Sequence, residues 1–311
     1  MDLHDVPYLS IAQLSELIRS KEISSLEATD AYLDRISRID GILNSYITVT
    51  HEEARKSAVE ADESIADGNY HGPLHGIPLA VKDQFFTKGI RTTAGSNLLS
   101  EFIPEKDAVV VEKLKAAGSV ILGKLNLSEF ALGESFSHPA GTPRNPWDLN
   151  RNPGISSSGS AAATSAFLCA SALAEDTGGS TRIPAAWCGL AGLRPTWGRV
   201  SRRGVIPVSW SMDTVGPVAR TVEDCAITFQ AIAGYDSEDP YSWDTPVPDY
   251  RLGLSGGVSG LKIGVLKEKV AFGNLEPQTL EAMHTAIDLS LIHISEPTRR
   301  TPISYAVFCL K

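Results

Sequence analysis

The sequence predicts an α/β protein, a mixed β-sheet core covered by helices. Three observations carry this. The chain opens with amphipathic segments that have readable helix starts, and from Gly72 onward short apolar runs alternate with helical ones. Its 311 residues, 42% hydrophobic and 21% charged, suffice to bury a substantial core.

The elements follow in order. Ser10-x-x-Gln13, Ser24-x-x-Glu27 and Thr50-x-x-Glu53 fit the capping box, in which side chains satisfy the orphan N–H groups of a helix start. Behind the first come Ile11, Leu14, Leu17 and Ile18 at helical spacing, and behind the second Leu26, Leu33 and Ile36. The third helix is alanine-rich (Ala54, Ala58, Ala61) and is expected to stop near Gly68. "IPLAVK" (Ile77–Lys82) reads as a strand, Asp107–Ala117 as a helix, and "SVILGK" (Ser119–Lys124) as a second strand. Ala161–Leu168 reads as a helix, "SALAE" (Ser171–Glu175) as a strand, and "LKIGVL" (Leu261–Leu266) as a late strand. The Asp-, Pro-, Ser- and Gly-rich stretch Gly234–Gly260 reads as a long loop.

A net charge of −9 argues against a nucleic-acid or anionic-membrane surface, because phosphates reward basic patches. The N-terminus carries acidic residues where a signal peptide needs positive charge. The longest apolar stretch, Ala161–Ala174, is interrupted by Thr164, Ser165 and Ser171 and is too short to span a bilayer. The four cysteines show no CxxC spacing, so neither a metal nor a redox pair is signalled, and a cytoplasmic setting is expected.

The chemistry concentrates in "PGISSSGSAAATSAFLCASALAEDTGGSTRIPA" (Pro153–Ala185), which holds seven serines, four glycines and no histidine. The "EDTGGST" turn places two glycines before a serine, allowing a sharp turn with several N–H groups aimed at one point, as an oxyanion hole requires. Neither the GxSxG elbow nor the GxxxxGK[ST] phosphate loop is present. A serine nucleophile needs a base. Of the histidines, His75 in "HGPLHGIP" is the least implausible. The other candidate is Lys82, which ends an apolar strand where burial disfavours its charged form.

In this order, "GIPLAVKD", "PGISSSGSAAA" and "EDTGGSTRIPAAWCGLAGLRPTWGRVS" resemble the amidase signature family, and the likeness runs from about residue 5 to about residue 288. The resemblance implies the amidase signature fold, here with its C-terminal part missing. It also implies amide C–N cleavage through an acyl-enzyme and a Ser-cisSer-Lys triad, with no metal and no cofactor. Carried over by position, Ser180 is the nucleophile, Ser156 relays its proton, and Lys82 is the base. The backbone N–H groups of Thr177, Gly178, Gly179 and Ser180 would hold the oxyanion. Asp176 and Arg182 would hold the loop without carrying protons. The chain departs from the family's GGSSSGS pattern at Ile155, which stands where the second glycine belongs. If that position has φ > 0, a β-branched residue there is strained by roughly 1–3 kcal/mol and Ser156 is displaced.

Residues 1–70 thus read as an N-terminal helical segment and 71–288 as an incomplete signature core. Residues 289–311, "LSLIHISEPTRRTPISYAVFCLK", have no counterpart in the family and resemble the in-frame translation of a sequencing adapter, so they are expected to be non-native. The leading functional expectation is an amide hydrolase acting on a small-molecule amide, without direct nucleic-acid or membrane contact and with homodimerisation possible. An alternative is the glutaminase-type A subunit of the tRNA-dependent amidotransferase, which needs partner subunits. "SFSHPAGTPRNPWD", with His138, leans toward a free-standing amidase. A third reading is an inactive fragment or binding protein that keeps the fold.

Overall fold

The computed structural model describes residues 2–132, 138–258, 261 and 276–293. Among the described residues, those up to Arg251 form one compact unit and those from Leu252 onward another. Ser10 and Ser24 both complete capping boxes, starting α1 (Ile11–Arg19) and α2 (Ser25–Leu43) where their sequence signatures place them. Helix α3 (His51–Ala66) begins after Thr50 without a side-chain cap. The Thr50 hydroxyl donates to the carbonyl of Ile121, 2.9 Å away, a tertiary contact that fixes its orientation, and its oxygen accepts no N–H from the helix start. Past α3 the chain turns at Gly68, with φ at +85°. Ile11, Leu14 and Ile18 of α1 and Leu33 and Ile36 of α2 are buried, as their periodicity requires.

Six strands form one mixed sheet in the order β1-β3-β2-β4-β6-β5: β1 (Tyr46–Val49), β2 (Pro78–Lys82), β3 (Val120–Leu125), β4 (Ser171–Asp176), β5 (Ala191–Gly192) and β6 (Thr214–Ala219). β2 runs parallel to β3 and β4; the remaining pairings are antiparallel. β2, β3 and β4 are buried along their whole length, which explains their near-continuous apolar sequence. The other helices of this unit are α4 (Val109–Ala116), α5 (Ser158–Ser165), α6 (Arg182–Trp187) and α7 (Val222–Ile232). Helices α2, α5 and α7 pack against the sheet, and Asp224 of α7 accepts the N–H of Ile11 at 2.9 Å, tying the N-terminus of α1 to it. Since β1 belongs to this sheet, residues 1–70 share one compact unit with the core.

Helix α5 starts at Ser158, three residues before its apolar run suggests, and ends before Phe167, whose φ is +60°. Its small residues serve packing: a Cβ on Gly159 would lie 2.4 Å from the Ser45 carbonyl oxygen and 2.5 Å from the Asn126 nitrogen. Of the expected long loop Gly234–Gly260, the stretch from Gly234 to Arg251 contains neither helix nor strand, but Leu252–Ser255 form a short 3-10 helix, and 259–260 lie outside the described residues. The expected strand Leu261–Leu266 lies outside the described residues except at Leu261. In the second unit α8 (Pro277–His293) is a single helix, and the rest of the 289–311 stretch lies outside the described residues. Among the described residues no helix is long and apolar enough to cross a membrane.

Candidate active site

Because β2 and β4 are parallel neighbours, their C-terminal ends share one edge of the sheet, the place where open α/β sheets present binding groups. β2 ends in Lys82 and β4 in Glu175 and Asp176. Lys82 is fully buried and its Nζ donates to Ser156 Oγ at 2.8 Å. Burial pushes the Lys82 ammonium down to about 8, against the upward pull of Glu175, Asp176 and Asp213. Glu175 Oε2 lies 3.7 Å from the same Nζ.

The serine segment threads between two loops. Gly154 has φ +95° and packs so closely on α6 that a Cβ would sit 2.5 Å from Pro184 Cα. The next residue, Ile155, lies outside the left-handed region, and the Ile155–Ser156 peptide is cis. The strain expected at Ile155 is therefore absent, because Gly154 alone takes the left-handed turn. The Ser156 carbonyl accepts from the Ser128 N–H at 3.3 Å. Ser157 donates its N–H to the Ser180 carbonyl at 3.3 Å and its hydroxyl to the Glu175 carbonyl at 3.2 Å. The segments that carry Ser156 and Ser180 are thus stitched together one residue past Ser156. The Ser180 hydroxyl itself makes no hydrogen bond among the described residues.

The Asp176 carboxylate, with no exposed surface, holds the turn that carries Ser180. It accepts the N–H of Gly179 at 2.7 Å and of Thr181 at 3.1 Å, Arg182 Nε and Nη2 at 3.0 and 3.1 Å, and Arg194 Nη1 at 2.9 Å. Burial alone would raise its carboxyl, but the Arg182 and backbone hydrogen bonds hold it below the ordinary carboxylate value. The Gly179 N–H, expected to face an oxyanion, is committed to Asp176. The amides of Thr177, Gly178 and Ser180 donate to no group among the described residues.

Three contributors escape a reading of the sequence. Arg194 also donates to the Asp176 and Met212 carbonyls. Asp213 and Glu175 face each other across the Thr177 hydroxyl, whose oxygen lies 2.7 and 2.8 Å from them. The signal available for Glu175 was a charged residue closing an apolar strand, the same signal that singled out Lys82. His75 is buried at the opposite end of β2, stacked on His71, with Nδ1 accepting the His71 N–H at 3.0 Å. It has no part in this cluster. His138 Nδ1 lies 3.0 Å from the Leu127 carbonyl, and residues 133–137 before it lie outside the described residues.

The fold and this cluster define a chain of the amidase family, whose model matches residues 27–290; the chain belongs to that family. It is 53% identical over 289 residues to the A subunit of the glutamyl-tRNA(Gln) amidotransferase of Geobacter metallireducens, covering 93% of this chain and 59% of that protein. The solved peptide amidase of Stenotrophomonas maltophilia matches with a TM-score of 0.77 at 42% identity, over 80% of this chain and 54% of that one. The corresponding amidotransferase protein of Thermotoga maritima, also an A subunit, matches with a TM-score of 0.79 at 37% identity, over 93% and 60%. This chain thus spans less than two thirds of the length of each of these three proteins.

Proposed function

We propose that the protein cleaves a carboxamide C–N bond through an acyl-enzyme on Ser180. The single observation that carries this is the 2.8 Å hydrogen bond between fully buried Lys82 and Ser156 beside the glycine turn of Ser180. Ser180 gives its proton to Ser156 as its oxygen attacks the carbonyl, and Ser156 gives its own to neutral Lys82. The proton then returns to the departing amine. The oxyanion is held by the uncommitted amides of Thr177, Gly178 and Ser180, each such donor contributing about 3–4 kcal/mol in the transition state. Asp176, Arg182 and Arg194 keep those amides aimed.

A second reading concerns the amide. The 53% identity to the A subunit of an amidotransferase supports glutamine as the substrate and partner subunits as the recipients of its ammonia, whereas the peptide amidase likeness supports a free-standing hydrolase. Ammonia release is measured from glutamine, a C-terminal peptide amide and a simple aliphatic amide, with Ser180→Ala as control. Turnover of glutamine alone supports the amidotransferase reading, and turnover of the other amides the free-standing one. Release that survives Ser180→Ala refutes both.

A further inference from the structure

The Thr177 bridge between two acids poses a counting problem. Its Oγ1 lies 2.8 Å from Glu175 Oε1 and 2.7 Å from Asp213 Oδ1. A hydroxyl carries one proton. If both acids are ionised, that proton serves one, and the other contact sets two acceptor oxygens against each other at hydrogen-bonding distance. Both contacts become hydrogen bonds only as a chain in which one carboxylic acid donates to Thr177 and Thr177 donates to the other, ionised, carboxylate.

The surroundings decide which acid holds the proton. Asp213 accepts the Val208 N–H on Oδ2 at 2.8 Å and the Ser209 N–H on both oxygens, at 2.9 and 3.0 Å. Both of its oxygens are thus engaged as acceptors of backbone N–H groups. Glu175 is 1% exposed and accepts no backbone N–H among the described residues. Its Oε2 faces Gln84 Nε2 at 3.4 Å and Lys82 Nζ at 3.7 Å, leaving Oε1 to carry a proton toward Thr177. Asp176, next along β4, and Asp213 add negative charge around it. Arg202, which lines the same small cavity, has Asp239 as its own counter-ion at 3.9 Å. Burial, opposed by Lys82 and assisted by Asp213 and Asp176, pushes the Glu175 carboxyl above its ordinary value.

We infer that Glu175 works as a neutral carboxylic acid donating through Thr177 to Asp213, and that this protonation leaves Lys82 free to act as the base. The inference rests on the proposed role of Lys82. An ionised Glu175 at 3.7 Å would favour the lysine ammonium, which has no lone pair to receive the Ser156 proton. A protonated Glu175 withdraws that bias. In turnover Lys82 gains one proton and returns it to the leaving amine, while Glu175 keeps its own throughout. Glu175 is thus a positioning residue that sets the charge state of its neighbour.

Infrared difference spectroscopy of the 311-residue chain at neutral pH, wild type against Glu175→Gln, tests the protonation without requiring activity. The expected result is a protonated-carboxyl C=O stretch above the amide I band that shifts in D2O, is lost in Glu175→Gln and is displaced in Thr177→Val. A wild-type spectrum without that band, or a band that survives Glu175→Gln, overturns the inference. Glutamine at 175 can donate to Thr177 as the acid does, so the acid limb of the kcat–pH profile is expected to move by less than about half a unit, whereas removing an ionised partner would lower it by about 1–3 units. A drop of that size also overturns the inference. Full turnover by Lys82→Ala would instead refute the base assignment itself while the infrared band stood, so the two failures are distinguishable.

Discussion

Asp176→Ala removes the acceptor around which the Ser180 turn is built. The buried N–H groups of Gly179 and Thr181 lose their partner, at about 2 kcal/mol each for a stranded buried donor. Arg182, with 53% of its side chain exposed, is resolvated and adds little. Arg194 retains the Asp176 and Met212 carbonyls. The sum is about 4 kcal/mol, which for a unit of this size corresponds to a fall in melting temperature of about 8–16 °C. The freed Gly179 amide also releases the turn, so an activated fluorophosphonate should label Ser180 more slowly, even well below the melting temperature. Calorimetry and labelling rates are measured on the same preparations. A variant that melts within about 2 °C of wild type and is labelled at the wild-type rate would refute the argument that Asp176 organises the turn.

Further outcomes follow from the serine segment and the base. Gly154→Ala places a Cβ 2.5 Å from Pro184 Cα at a φ of +95°, and thermal melting should show a loss of at least about 1–3 kcal/mol from backbone strain alone, to which the displacement of α6 adds. Ile155→Gly, which restores the family's pattern, should lower stability by roughly 0.4–1 kcal/mol, because Ile155 is already free of left-handed strain and glycine only adds freedom to the unfolded chain; a higher melting temperature would contradict this. Lys82 must be neutral to accept a proton, so kcat should rise with pH through a value below about 8, because a neutral Glu175 withdraws its share of the upward pull on the ammonium, and level off above it. Lys82→Ala should lose several orders of magnitude in kcat, and a variant keeping a tenth of wild-type kcat, a loss of only about 1.4 kcal/mol, would contradict the base role.

Much of this was legible in the sequence where one local force dominates. Strands β2, β3 and β4 are buried on both faces, so their apolar runs stand out; the α1 and α2 capping boxes are satisfied within four residues. β6 was not legible, because Gly216 and Pro217 punctuate it like a loop, yet both pair with β4. The small residue is required there: a Cβ on Gly216 would lie 1.9 Å from the Leu193 carbonyl oxygen. Thr50 misled in the other direction: its hydroxyl donates to a carbonyl 71 residues away, and its oxygen accepts no N–H from the helix start. In the site, Lys82 could be suspected from its strand. Arg194 and Asp213 could not, since nothing local distinguishes a buried loop charge from a solvated one. Their roles exist only once β4 and β6 pair and bring the loop before β6 against the Asp176 turn.

The central claim is that Ser180 attacks and Ser156 relays. Mass-spectrometric mapping of a fluorophosphonate adduct tests it most directly. The account predicts a single adduct on Ser180, absent from Ser180→Ala and slowed but still on Ser180 in Ser156→Ala. An adduct on Ser156 or Ser158, or undiminished labelling of Ser180→Ala, would contradict it.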